Sequence, residues 1–131
     1  MTELERVRNF FEGDVFATSA TGIVIEEIGD KFAKCTLKLD SRHKNAANQV
    51  MGGVIFTLAD FAFAVSTNRG QGITVTISSN ISFIGTVKGD TLIATSKLLK
   101  DGKRSCFYEI SVTDDLGNLV AVVSTVGTHV G

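Results

Sequence analysis

Val50-Met51-Gly52-Gly53-Val54-Ile55-Phe56-Thr57-Leu58-Ala59-Asp60-Phe61-Ala62-Phe63-Ala64-Val65 is the stretch on which the fold of this chain turns. Val54, Ile55, Phe56, Leu58, Phe61, Phe63 and Val65 fall all the way round a helical wheel. A helix apolar on every side is buried on every side or crosses a membrane. A crossing needs roughly 20 apolar residues, and this run is shorter, with Asp60 in its middle. The stretch predicts a buried core helix and no membrane partner.

Two features of that helix point to chemistry. An unpaired carboxylate is costly to bury, so Asp60 is neutralised, paired or used; a solvated gap with backbone hydrogen bonds is the plainer alternative. Gly52-Gly53 stands at the helix start, where glycines admit close approach and free amides polarise an anion or a carbonyl oxygen. A helix start packed tightly against a strand would need the same glycines. Taken together, amide donors and a carboxylate suggest a site for an acyl group.

Working outward, Leu4, Val7, Phe10 and Phe11 recur at helical spacing and predict an amphipathic N-terminal helix. From Thr21 the period changes. Ile23-Val24-Ile25 and Ile28 form a strand, Gly29-Asp30 a turn, and Ala33, Cys35, Leu37 and Leu39 one face of a half-exposed partner. A polar loop, Asp40 to Gln49, leads into the central helix, which stops at Asn68-Arg69-Gly70. Four more strands follow. In Ile73–Ile84, Val75, Ile77, Ile81 and Phe83 point one way and Thr74, Thr76, Ser78, Asn80 and Ser82 the other. Thr91–Lys100 and Arg104–Thr113, the latter burying Cys106, Tyr108, Ile110 and Val112, are joined at Asp101-Gly102, a tight-turn signal. Leu119–Val126 is apolar enough for a strand covered on both faces. Two strands, a buried helix and four strands predict a single α+β domain over residues 1–131, with one curved, largely antiparallel sheet around one helix.

Composition narrows the function classes. The 131 residues carry a formal net charge of −1, which argues against nucleic acid as a partner. Cys35 and Cys106 lie in strand-like stretches, and without a signal-like N-terminus they read as reduced thiols of a cytoplasmic protein. There is no G-x-S-x-G elbow, no Cys/His spacing for a metal such as zinc and no glycine-rich phosphate loop. His43, between Arg42 and Lys44, reads as part of a solvated loop. Lys100, Lys103 and Arg104 form a basic turn that reads as surface unless a phosphate meets it.

The pattern Asn45-x5-Met51-Gly52-Gly53-x4-Leu58-Ala59-Asp60, with Asn80-Ile81-x-Phe83 and Gly89-Asp90 downstream, resembles the hotdog-fold thioesterases of the phenylacetic-acid-degradation (PaaI-like) type. The resemblance implies a homodimer or homotetramer that hydrolyses acyl-coenzyme A thioesters with no metal and no cofactor beyond the coenzyme A of its substrate. It implies Asp60 as general base or nucleophile and the Gly52 amide as the group that polarises the carbonyl. Asn45 matches the family's loop Asn, and Thr76 a hydroxyl residue that helps hold the attacking water. Substrate contacts are implied at Met51, Gly53, Phe83 and Lys88 and along the hairpin at Lys100, Gly102, Lys103 and Arg104. The chain departs from the pattern twice. Met51 stands where the family usually has His, and Gly85-Thr86 where it often has Arg-Pro.

The chemistry is consistent with so small a set of groups, because a thioester needs only a positioned water, a carboxylate and one or two amide donors. A non-catalytic acyl-coenzyme A or acyl-chain binding protein is the competing reading, with Met51 as its motive. A hotdog hydratase would pair its Asp with a helix His, which this helix lacks. Gly52 and Asp60 stand about 12 Å apart along the helix axis at 1.5 Å per residue. The expectation is therefore an active site built from two chains.

Overall fold

A computed structural model describes residues 1–69 and 72–130. Helix α1 (Glu3–Phe11) opens on a capping box in which the Thr2 hydroxyl accepts the Glu5 amide. A π-helical turn (Phe16–Thr21) follows, then strands β1 (Val24–Gly29) and β2 (Phe32–Lys38), a 3-10 turn (Ser41–His43) and helix α2 (Gly52–Thr67). Strands β3 (Ile73–Phe83), β4 (Thr91–Asp101), β5 (Ser105–Asp114) and β6 (Leu119–Val130) complete the chain. All six strands form one antiparallel sheet in the order β1-β2-β4-β5-β6-β3. The sheet curves around α2 as a hotdog fold.

The core is the seam between α2 and the sheet. Ile55, Leu58, Ala59, Phe61, Ala62, Phe63 and Val65 are buried from the helix. Ala33, Cys35, Leu37, Leu92, Ala94, Ile110, Val112 and Val123 meet them from the strands. A fully buried Leu, Ile or Phe contributes about 1.5–3 kcal/mol, so this seam is the main source of stability. Cys35 and Cys106 are free and buried, and burial pushes the Cys35 thiol up to about 12. Among the described residues no helix is long and apolar enough to cross a membrane.

Several expectations need correction. Helix α2 is not buried all round: Met51, Gly53 and Asp60 are exposed, and Phe56, Thr57 and Ala64 are half-buried. Phe10 is 71% exposed, because the face of α1 that reaches the core carries Val7 and Phe11, one turn apart. The alternation in β3 is broken by a bulge between Thr76 and Ser78. An extra residue reverses the pleat, so Thr74 and Thr76 share the helix-facing side with Ser79, Ile81 and Phe83, whereas Val75 and Ile77 are exposed. Strand β6 runs to Val130 and buries only Val120 and the row Ala121, Val123, Thr125 and Gly127; Ser124 on its other face is exposed. The β1–β2 turn is made by Asp30-Lys31, with Lys31 left-handed at φ 54. Residues 102–104, rather than a two-residue turn, connect β4 to β5. Gly70, of the expected helix stop, lies outside the described residues.

At Gly127 the backbone of β6 touches the core directly. A Cβ there would stand 2.7 Å from Phe63 Cζ, 2.9 Å from Thr74 Cγ2 and 3.2 Å from Cys106 Sγ. Gly127→Ala should therefore cost about 1–3 kcal/mol by overpacking, read from the urea unfolding midpoint. An unchanged midpoint would mean that Phe63 does not pack against β6 in this way.

Candidate active site

The N-terminus of α2 is held from outside the helix. His43 is buried; its Nε2–H donates to the Thr21 carbonyl at 2.7 Å and its Nδ1 accepts the Asp40 amide at 3.0 Å. Arg42 Nη1 donates to the Ala20 carbonyl at 2.9 Å, and the His43 carbonyl accepts the Met51 amide at 2.9 Å. The expected solvated loop is thus a buried anchor that fixes where α2 begins. Met51 is the N-cap but makes no side-chain cap hydrogen bond, and it is 54% exposed. Among the described residues the amides of Gly52 and Gly53 donate to no protein group. At a helix start such amides carry the positive end of the helix dipole.

Only the first of the two glycines has a steric reason. A Cβ on Gly52 would stand 3.0 Å from Phe83 Cζ, and one on Gly53 would meet nothing within 4 Å. Gly52 is therefore covered by the Phe83 ring, while Gly53 faces open space. Gly52, Phe83, Gly85, Thr86 and Val87 share a cleft of about 280 Å³. Gly85, one of the departures from the family pattern, lies so close to β6 that a Cβ would fall 2.5 Å from the Leu119 carbonyl oxygen.

Asp60 stands in a different cleft, of about 310 Å³, with Asp14, Phe16, Thr57, Phe61 and Ala64. Partial burial, and then the Asp14 carboxylate, push its pKa above the ordinary Asp value. No described side chain donates to it. The carboxylate is thus held in a setting that raises its basicity, a common feature of groups that move protons. Gly53, Thr57, Asp60 and Ala64 recur at three- and four-residue spacing on the open face of α2, with the Thr57 hydroxyl turned back onto the Gly53 carbonyl at 2.7 Å. Neither cleft contains both Gly52 and Asp60.

The other sequence-derived residues divide between the two ends of the molecule. Asn45 lies in the loop before α2, where its Oδ1 accepts the Ala47 and Gln49 amides at 2.9 and 3.1 Å. Lys88 lies past Phe83, in a loop pinned through the Lys88 and Gly89 amides to Asp114. Thr76 is exposed on the helix-facing side of β3, opposite Gly127. Lys100, Lys103 and Arg104 are exposed at the far end, where the Arg104 carbonyl accepts the His129 amide and Gly102 closes the loop by donating to Ser105. His129 pairs with Thr74, nine positions along β3 from Phe83, or about 30 Å of strand. Phe83–Lys88 and the basic hairpin thus stand at opposite ends of the chain.

Sequence reading missed three contributors. His43 sits among charged residues, and only its place before a buried helix hinted at an anchor. Asp14 comes near Asp60 through the π-helical turn, whose small and β-branched residues give no helical period. Asp114 is buried, with Asn118, Lys88 and Gly89 donating to it; the Asn118 side chain first, then backbone amides, hold its pKa well below the carboxylate range. An Asp opening a turn is the signal for such a staple.

The thioesterase superfamily model matches residues 47–121, from the loop before α2 into β6. The acyl-coenzyme A thioesterase PaaI of Escherichia coli K12 is 33% identical over 114 residues, spanning 86% of this chain and 80% of that protein. The solved structure of E. coli PaaI, from the phenylacetic acid degradation operon, has a TM-score of 0.88 at 26% identity, covering 98% of this chain and 94% of the other. A hypothetical thioesterase of Streptococcus pneumoniae solved with coenzyme A shares the fold, with a TM-score of 0.83 at 21% identity over 92% of this chain and 97% of its own. Since the sequence match runs through the Gly-Gly and Asp positions of α2 and the structural match through nearly every element, this chain belongs to the thioesterase superfamily, as a PaaI-like hotdog protein.

Proposed function

We propose that the chain hydrolyses acyl-coenzyme A thioesters to the free acid and coenzyme A, in a site shared by two copies of the chain. The observation that carries this reading is the division of α2: unengaged amides in one cleft, a carboxylate of raised pKa in another. Both groups must lie about 3 Å from one reacting centre, so each cleft supplies half of a site. A two-fold axis that sets Gly52 of one protomer against Asp60 of its partner joins the halves twice per dimer.

The edges of the sheet favour such a dimer. Strand β1, at one edge, is short and bulged and carries Glu26 and Glu27. Strand β3, at the other, has 11 residues, no charge, and Ile73, Val75 and Ile77 exposed. A long uncharged edge is a template for another strand, so β3 pairs with its own copy. That places one protomer's basic hairpin within reach of the other's Phe83–Lys88 end, and coenzyme A phosphates then meet Lys100, Lys103 and Arg104 across the interface. Association of two such dimers gives a tetramer.

In this mechanism the Gly52 amide, with the helix dipole behind it, receives the thioester carbonyl oxygen, and Asn45 Nδ2, which makes no hydrogen bond among the described residues, is the second donor. Asp60 takes a proton from a water oriented by the Thr76 hydroxyl as that water attacks the carbonyl carbon. The oxyanion collapses, the C–S bond breaks, and the proton held by Asp60 passes to the departing thiolate. Met51 donates no hydrogen bond, so polarisation falls on backbone amides, which are preorganised and lose little energy to reorientation.

Asp60→Asn keeps the side chain's shape and removes the base; it should lower kcat for acyl-coenzyme A hydrolysis by about 10²–10⁴-fold, measured by thiol release, with the unfolding curve preserved. Wild-type turnover by the folded variant removes Asp60 from the mechanism. A wild-type chain that binds acyl-coenzyme A and releases no thiol is the non-catalytic binder instead. The same carboxylate sets the acid limb of kcat/KM. Because its pKa is raised, activity should fall as pH drops through a value above that of an ordinary Asp. Asp14→Asn, whose side chain makes no hydrogen bond among the described residues, should move that limb to lower pH. An acid limb unmoved by this change would mean that Asp60 does not titrate in the rate.

A further inference from the structure

The Asp60 cleft does not end at Asp60. It shares Asp14 and Ala64 with a groove of about 830 Å³ between α1 and the second half of α2. That volume is in the range of pockets that take small organic ligands. Val7 and Phe11 are buried in its floor; Phe10 and Ile73, 71% and 60% exposed, stand along its sides. Phe10 packs edge-to-face on Phe11 at 5.0 Å and Phe11 on Phe61 at 5.6 Å, so an aromatic file leads from the neighbour of Asp60 into the groove. From Asp60 to Asn68, which lines the groove, α2 advances about 12 Å.

We propose that this groove is the acyl channel of the Asp60 site and that it takes an aliphatic acyl chain long enough to pass Ala64. The inference rests on the thioesterase reading for the position of the carbonyl, at Asp60, and on the continuity of the two cavities for the direction of the chain. An acetyl group ends before the groove. A longer chain follows the apolar floor between α1 and α2 set by Val7 and Phe11; the charged Glu3, Arg6 and Arg69 also line the groove. Phe10 is then a side of the channel rather than stray apolar surface, and Ala64 is the residue whose size decides how far an acyl chain extends.

The test uses ethyl-coenzyme A and octyl-coenzyme A, thioethers that cannot be hydrolysed, with calorimetry on the full chain. Each buried methylene is worth about a fourfold change in affinity. The wild type should therefore bind octyl-coenzyme A at least about tenfold more tightly than the ethyl compound. Ala64→Phe places a ring at the junction and should bring that ratio close to one. Phe10→Ser, at an exposed position, should lower it part of the way. A wild-type ratio near one, or a ratio that neither folded variant changes, overturns the channel. So does an Ala64→Phe variant that alters the oligomeric state in sedimentation with the ratio intact, since the groove would then seat a second copy. Turnover of acetyl- and octanoyl-coenzyme A separates the two levels: chain-length-dependent binding without thiol release removes the hydrolase and leaves the channel. Hydrolysis with no dependence on chain length removes the channel alone.

Discussion

An α-helix holds its residues at fixed spacing, and in α2 that spacing separates Gly52 from Asp60 by about 12 Å along the helix axis. The helix cannot close the gap by bending, because its inner face is locked into the sheet through Leu58, Ala59, Ala62 and Val65, all fully buried. In the proposed mechanism the two groups act on one carbonyl, so the spacing makes a second chain part of the chemistry. The uncharged β3 edge and the outward-facing row Gly53, Thr57 and Asp60 are consistent with the same demand. The fold thus places its unsatisfied groups on one side and spends the other on the core.

Keeping a helix start unsatisfied requires support from elsewhere. Most helices cap their first amides with a side chain, whereas Met51 offers none. The position of α2 is set instead by His43, which ties the loop to the π-helical turn through Thr21 and to Met51 through its own carbonyl. On the other side of the cleft, Asp114 and Asp115 hold four successive amides, Lys88 to Thr91. The groups that meet substrate in the proposal thus project from a frame held by these hydrogen bonds, as a preorganised site requires.

Much of this was legible in the chain itself. The clean alternation of Ala33, Cys35 and Leu37, and of Cys106, Tyr108, Ile110 and Val112, announced half-buried strands, and the structure bears both out. The run through α2 announced the helix around which the sheet curves. What was not legible depends on contacts distant in sequence. Periodicity cannot show a bulge, so the faces of β3 were misassigned on one side of Ile77. It cannot show which residue of a polar loop is covered, so the buried His43 reads as solvated. Nor does a helix with apolar residues all round reveal that one face is left open; Asp60, Gly53 and Met51 were the only marks of it.

The shared site is tested most directly by restoring activity from two inactive chains. Asp60→Asn lacks the carboxylate in both sites of its dimer, and Gly52→Val, whose side chain meets the Phe83 ring and fills the approach to the amide, lacks the amide side in both. Unfolded together in equal amounts and refolded, they give half mixed dimers, in which one site has an intact Gly52 from one chain and an intact Asp60 from the other. Thiol release from octanoyl-coenzyme A should return to roughly a quarter of the wild-type rate. If differently tagged chains co-purify as mixed dimers and the rate stays at that of the single variants, Gly52 and Asp60 do not act on one thioester across the interface.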